Sequence, residues 1–192
     1  MNAKSETVGE SLYWAYANLA MAEMAVKERD KSYRKEHYMV RARLYKGLST
    51  GTMSLLTLFE DQKVRMRLPM ECAYCGAQDN LTVDHIIPIN RGGNDSGDNA
   101  IWACRSCNAS KADRDLFAWW QTHKTGFPPL FLIRIYLKQA IAYFIKEDRL
   151  HEKWTEVSNT PFDLSSIPQK YPTPELLRFT FYHEHQLKPW PT

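Results

Sequence analysis

The four cysteines of this 192-residue chain fall into two pairs, Cys72 with Cys75 and Cys104 with Cys107, each pair separated by two residues. A single pair of this kind can be a redox couple, but two pairs supply the four thiolates that a tetrahedral zinc ion takes as ligands. A reducing interior disfavours a disulfide framework, so the spacing predicts structural zinc. The 28 residues between the pairs exceed what a plain zinc ribbon needs. Within them, Leu81 to Pro88 reads LTVDHIIP, a strand-like apolar run broken by an adjacent acid and imidazole. Burying two such groups unpaired is costly, so Asp84 and His85 are expected to have a use. An imidazole with an ordinary pKa of about 6.5 suits deprotonation of water near neutral pH. A carboxylate oxygen suits a hard cation such as magnesium or manganese.

The stretch from Cys72 to Lys111, CAYCGAQDNLTVDHIIPINRGGNDSGDNAIWACRSCNASK, resembles the His-Asn-His (HNH) endonuclease family, whose fold is a β-hairpin followed by a helix around one metal ion. The matching positions are His85, Asn99 and Asn108. Asn108 stands where the family has either His or Asn, which makes this the His-Asn-Asn variant. The resemblance implies a metal-dependent DNA endonuclease leaving 5′-phosphate and 3′-hydroxyl ends. In it His85 would be the general base, Asp84 and Asn108 the ligands of a catalytic Mg2+ or Mn2+, and Asn99 the residue that ties the hairpin loop and orients the base. Asn108 directly follows Cys107, so the zinc clamp would set where that ligand points. Neighbours on an extended strand face opposite sides, and a local twist must therefore aim Asp84 and His85 at one phosphate.

The DNA must be held as well as cut. Lys111 lies one helical turn beyond Cys107, and Arg91 opens an Arg91-Gly92-Gly93 loop; each is a candidate phosphate contact, with plain surface charge as the competing reading. From Leu68 to Leu116 there are four basic and seven acidic residues, so the centre must borrow positive charge from its flanks. Lys27 to Lys46 carries eight basic and three acidic residues, a candidate phosphate-facing stripe in which Arg34, Lys35, Arg41 and Arg43 are expected to touch DNA. The bland alternative for the stripe is a solvated helix face with intrahelical ion pairs. The alternative for the whole protein is a zinc-organised nucleic-acid-binding module without turnover.

The elements that position these residues give an α+β, mostly helical fold. A helical region over 1–67 and another over 119–192 flank a ββα-metal module at 68–118. Leu12, Ala15, Tyr16, Leu19, Ala22 and Val26 recur at helical spacing. A second run covers Tyr33 to Tyr45, a break falls at Gly47 to Gly51, and a third run covers Met53 to Gln62. Short strands are expected at Leu81 to Val83 and Ala100 to Ala103. After Pro128 and Pro129 a helix runs from Leu130 to about Leu150, with Leu130, Ile133, Leu137, Ala140, Ile141 and Phe144 on its apolar face and Arg134, Lys138, Glu147 and Asp148 pointing elsewhere. Val157 to Pro174 reads as a loop, followed by a short element near Pro174 to Tyr182. His183 and His185 read as surface or packing residues, and His37, His123 and His151 carry no readable signal.

The apolar stretch Leu12 to Val26 is interrupted by Asn18 and Glu23. It lacks the form of a secretory leader or a membrane span, which points to a cytoplasmic protein with no membrane partner. A module of this size between helices looks like the nuclease components of bacterial antiphage defence systems, with other defence proteins as partners, or like a small restriction enzyme. One active centre cuts one strand, so nicking needs one chain and double-strand breaks require a dimer or two encounters.

Overall fold

Thr7 opens the first helix, α1 (Val8–Lys27), by accepting a hydrogen bond from the Glu10 N–H at 3.2 Å while the Glu10 carboxylate takes the Thr7 N–H at 3.1 Å, a reciprocal cap that satisfies two otherwise orphaned donors. The computed structural model describes residues 7–55, 68 and 70–181. Leu12, Ala15, Tyr16, Leu19 and Ala22 are buried along α1, and so are Ala17, Met21 and Ala25. The extra burial arises because α1 packs against two helices, α2 (Lys35–Ser49) and α5 (Leu130–Lys146). The α2 helix continues through Gly47 and ends at Ser49, inside the Gly47 to Gly51 break that the sequence predicts. A Cβ at Gly47 would lie 2.6 Å from the Met53 side chain, so the glycine admits a close approach rather than ending the helix. The chain turns instead at Gly51, whose φ of 70° favours glycine. Met53 to Leu55 are not helical, and the rest of the third predicted run lies outside the described residues.

The module's two strands are β1 (Leu81–His85) and β2 (Ala100–Cys104), antiparallel, with Asp84 opposite Ile101 and His85 opposite Ala100. The hairpin runs directly into α3 (Arg105–Lys111), with Cys104 at the junction. This is the ββα arrangement expected from the sequence. A further helix, α4 (Leu116–His123), starts at Asp115, whose carboxylate accepts the Phe117 N–H at 2.9 Å and the Ala118 N–H at 3.4 Å. Its Oδ2 also accepts the Tyr136 hydroxyl and the Asp163 N–H, which fastens the end of the module to α5 and to the C-terminal loop. Burial raises the Asp115 pKa above the usual carboxylate range, and these four donors oppose the shift.

The α5 helix ends at Lys146, earlier than the apolar pattern predicts, because Asp148 turns left-handed with φ 53°. It is also buried on more than the predicted face. Phe131, Leu132, Ile135 and Tyr136 are all inside, and Lys138, expected to point outward, is buried. The orphaned N–H groups of Leu130 and Phe131 donate to the carbonyls of Arg178 and Phe179 at 2.9 and 3.0 Å. Residues 157–174 form the expected loop, with one 3-10 turn at Leu164–Ser166, and a second such turn lies at Pro174–Leu176. Side chains from α1, the hairpin, α4, α5 and the C-terminal loop share a single apolar cluster.

Candidate active site

The Cys72–Cys75 turn folds tightly on itself. The Gly76 N–H donates to the Cys72 carbonyl at 2.8 Å, the Cys72 N–H donates to the Ala77 carbonyl at 2.7 Å, and Gly76 takes a φ of 76°. The turn is then sewn to the hairpin by the Ala73 N–H, which reaches the Trp102 carbonyl at 2.9 Å. All four cysteine sulfurs come within 4.8 Å of one another, and all four are free of disulfides. The Cys75 and Cys104 sulfurs are 3.7 Å apart, close to the edge of about 3.8 Å that a tetrahedron with zinc–sulfur bonds of ~2.3 Å requires. Burial holds the Cys72 thiol above its usual range. Burial also works against ionisation of Cys104, yet hydrogen bonds from Ser106 and the Cys107 backbone bring it down to about 6. The Lys124 ammonium donates to the Cys107 sulfur at 3.0 Å. The donor set and spacing suit zinc.

Tyr74, inside the first cysteine turn, links this clamp to the acid of the hairpin. Its ring is fully buried against Trp119 at 4.9 Å, and its hydroxyl donates to Asp84 Oδ2 at 2.6 Å. Burial first, and the adjacent Asp84 charge second, hold the Tyr74 hydroxyl well above its usual pKa. Sequence reasoning missed Tyr74. The available signal was an aromatic residue at an interior position of a metal-type turn. Lys111, at the end of α3, is also fully buried. Its ammonium donates to the His85 carbonyl at 2.7 Å and lies 3.3 and 3.4 Å from the two Asp84 oxygens. Burial lowers the Lys111 pKa, Asp84 opposes that shift, and the Arg91 charge adds to it.

His85 faces away from this cluster. Its Nε2 lies 3.0 Å from Asp95 Oδ1; a carboxylate only accepts, so Nε2 carries the proton and donates. Nδ1 has no partner among the described residues, on a side chain 23% exposed, and in the neutral imidazole it carries the lone pair. Asp95, 83% exposed in the loop after β1, is a second residue the sequence reading did not single out. Asn99 is buried and pins that loop. Its Oδ1 accepts the Ile87 N–H at 2.9 Å, and its Nδ2 donates to the Ile87 and Asn94 carbonyls, each at 2.8 Å. A Cβ on Gly93 would lie 2.0 Å from the Ile87 carbonyl oxygen, so only glycine lets the loop close over Asn99. Asn108 donates its amide N–H to Thr82 Oγ1 at 3.0 Å and to the Val83 carbonyl at 3.2 Å. The carbonyl acceptor fixes the orientation of the amide and leaves Oδ1 open.

A metal-type cysteine clamp, a strand-borne acid and imidazole, a loop-pinning asparagine and an amide midway along a short helix are thus assembled in one small unit. Residues 72–114 match the family model of the HNH endonuclease. The match covers less than a quarter of the chain, and no curated protein and no solved structure matches it. The HNH module supports a nuclease-type function.

The structure brings Lys111 of α3 to Asp84 of β1, holds Asn108 of the same helix against Thr82 and Val83, and sets His85 with Asp95, joined to Lys111 through the His85 backbone carbonyl. The side chains of His85 and Asp84 share no hydrogen bond. Lys111, a candidate phosphate contact in the sequence, has no exposed surface in this conformation. Arg91 is exposed and close enough to bear on the Lys111 charge. The N-terminal basic stripe divides in two. Arg34 is engaged by Glu28 at 2.7 Å and Asp30 at 2.8 Å. Arg41 lies over the rings of Trp14 and Tyr38, 4.7 and 5.0 Å from their centres, and donates to Asn18 at 3.2 Å. Lys35 and Arg43 are exposed without partners among the described residues. His183 and His185 lie outside the described residues.

Proposed function

We propose that the protein is a metal-dependent endonuclease of DNA that hydrolyses phosphodiester bonds at the HNH module. The observation that carries this reading is the His85 geometry: Asp95 engages Nε2, so the neutral imidazole, on a partly exposed side chain, has its Nδ1 lone pair to offer to a water. Asp84 and the open Oδ1 of Asn108 are the oxygen donors that would hold Mg2+ or Mn2+. When bound, such an ion stabilises the negative charge that develops on the phosphate and leaving oxygens. His85 takes the water's proton, Asn99 keeps the loop and imidazole in place, and the four cysteines hold zinc as scaffold. Lys35, Arg43 and Arg91 contact the DNA backbone, and one centre cuts one strand. The test is incubation of supercoiled plasmid with the zinc-loaded protein and magnesium or manganese. Wild type relaxes or linearises it and His85→Ala does not; equal inertness of both across metals and substrates would overturn catalysis.

Binding without turnover is favoured by one observation, namely that both Asp84 oxygens already have partners in Tyr74 and Lys111. A protein of this kind would shift labelled duplex in a gel and leave plasmid intact. A place in antiphage defence or restriction is supported by the layout of a nuclease module between helices. Plating phage on cells with and without the gene tests it, and equal plating counts against it. Among the described residues no helix is long and apolar enough to cross a membrane.

A further inference from the structure

We infer that Lys111 is an exchangeable counter-ion for Asp84, an ammonium that stands at the carboxylate until a divalent cation takes its place there. This rests on the reading of Asp84 and Asn108 as metal ligands given above. The two contacts of the ammonium are unequal. The carbonyl of His85 is gripped at 2.7 Å, whereas the carboxylate oxygens stand off at 3.3 and 3.4 Å, longer than the ~2.7–2.9 Å of a strong charge-assisted bond. Lys111 therefore balances the Asp84 charge without being locked to it. The balance is needed, because a buried carboxylate left without a positive partner is expensive and Tyr74 supplies only one neutral hydrogen bond.

Asn108 lies three residues before Lys111 on α3, one turn back on the same face, with its Oδ1 open. A cation held between that oxygen and Asp84 therefore lies beside the ammonium. Two positive groups sharing one carboxylate in a site screened from water repel strongly, and the lysine, on a flexible four-carbon stem, is the one able to move. The exchange has two consequences. The metal-free module stays folded and charge-balanced, and each binding event must evict a lysine, which weakens the affinity for the ion. The evicted ammonium reaches solvent next to the exposed Arg91, where a phosphate is its natural partner.

The experiment titrates zinc-saturated full-length protein with Mn2+, following free manganese by electron paramagnetic resonance, and in parallel acetylates lysines with and without manganese and reads the sites by mass spectrometry. Lys111→Met is expected to bind Mn2+ about tenfold more tightly than wild type, within the ~5–150-fold span of ordinary coupling between two sites. In wild type, Lys111 should be protected without manganese and acetylated with it, while Lys35 reacts equally in both. Unchanged or weaker manganese binding by Lys111→Met, or a Lys111 still protected at saturating manganese, overturns the exchange. If Lys111→Met does not fold, the acetylation of unaltered protein decides. If Asp84→Asn binds manganese as wild type does, or wild type binds none, the ligand assignment itself has failed and the exchange falls with it.

Discussion

Among the described residues, His37 and His85 both lie within hydrogen-bond distance of carboxylates, in contrasting surroundings. His37, in the corner between α1 and α2, is fully buried, and both of its nitrogens are used. Nδ1 accepts the Arg34 N–H at 2.9 Å, while Nε2 lies 3.0 Å from Glu28 and 3.2 Å from Asp30. Glu28, Asp30 and His37 bring their ligand atoms within 4.8 Å of one another, as a metal site would, but the Arg34 guanidinium already bridges the two carboxylates. His85 has one carboxylate, one bonded nitrogen and one open nitrogen at a surface that water reaches. The difference teaches that a carboxylate partner does not mark a general base. The role proposed for His85 needs in addition a free nitrogen with access to solvent, and at the His37 corner the charges are closed into a helix cap.

The contrast can be broken most sharply at the two imidazoles. His85→Ala should lower the plasmid-cleavage rate by about 10²–10⁴-fold, the usual contribution of a positioned general base, without a matching loss of folded protein. Removing the Tyr74 hydroxyl is the next largest change. Tyr74→Phe takes a hydrogen bond from a buried carboxylate and should cost about 1.5–3 kcal/mol of stability, read by urea unfolding; no loss would show that Asp84 does not depend on the cysteine turn. His37→Ala should cost about 0.5–2 kcal/mol, as loss of a helix cap does, while cleavage per folded molecule stays at the wild-type rate. A fall in that rate with stability intact would give the α1/α2 corner a part in the chemistry. The smallest effect separates the two kinds of basic residue on the stripe. Lys35→Ala with Arg43→Ala should reduce the slope of log affinity against log salt by about 0.9 per lost phosphate contact on duplex DNA. Arg34→Ala with Arg41→Ala should leave that slope unchanged, because both guanidiniums are already engaged within the protein.

The cysteine clamp and the ββα order were legible because both depend on local spacing. Two residues between thiols make a metal-type turn, and an apolar run of four or five residues makes a strand. What lay out of reach depends on where side chains end up after the chain has packed. Nothing local distinguishes Lys111, buried under β1, from a surface lysine one turn along a short helix. Asp95 reads as one more loop acid until the hairpin folds and brings it 3.0 Å from His85. Arg34 and Arg41 look equivalent to Lys35 and Arg43 in the sequence, yet an acidic pair and two aromatic rings claim the first two. Helical periodicity, which assumes one wet face, points Lys138 outward, and α5 has too little of one. The α4 helix went unread because its eight residues carry too few turns for a pattern.

The knot of hydrogen bonds at Asp115 has a bearing on inheritance. The family match ends at residue 114, one position before the carboxylate that holds the Phe117 N–H, the Tyr136 hydroxyl and the Asp163 N–H at once. The stretch that kinship recognises and the stretch that folds therefore have different borders. A fragment trimmed to the recognisable part would leave behind the suture that seats the HNH module against α5 and the C-terminal loop.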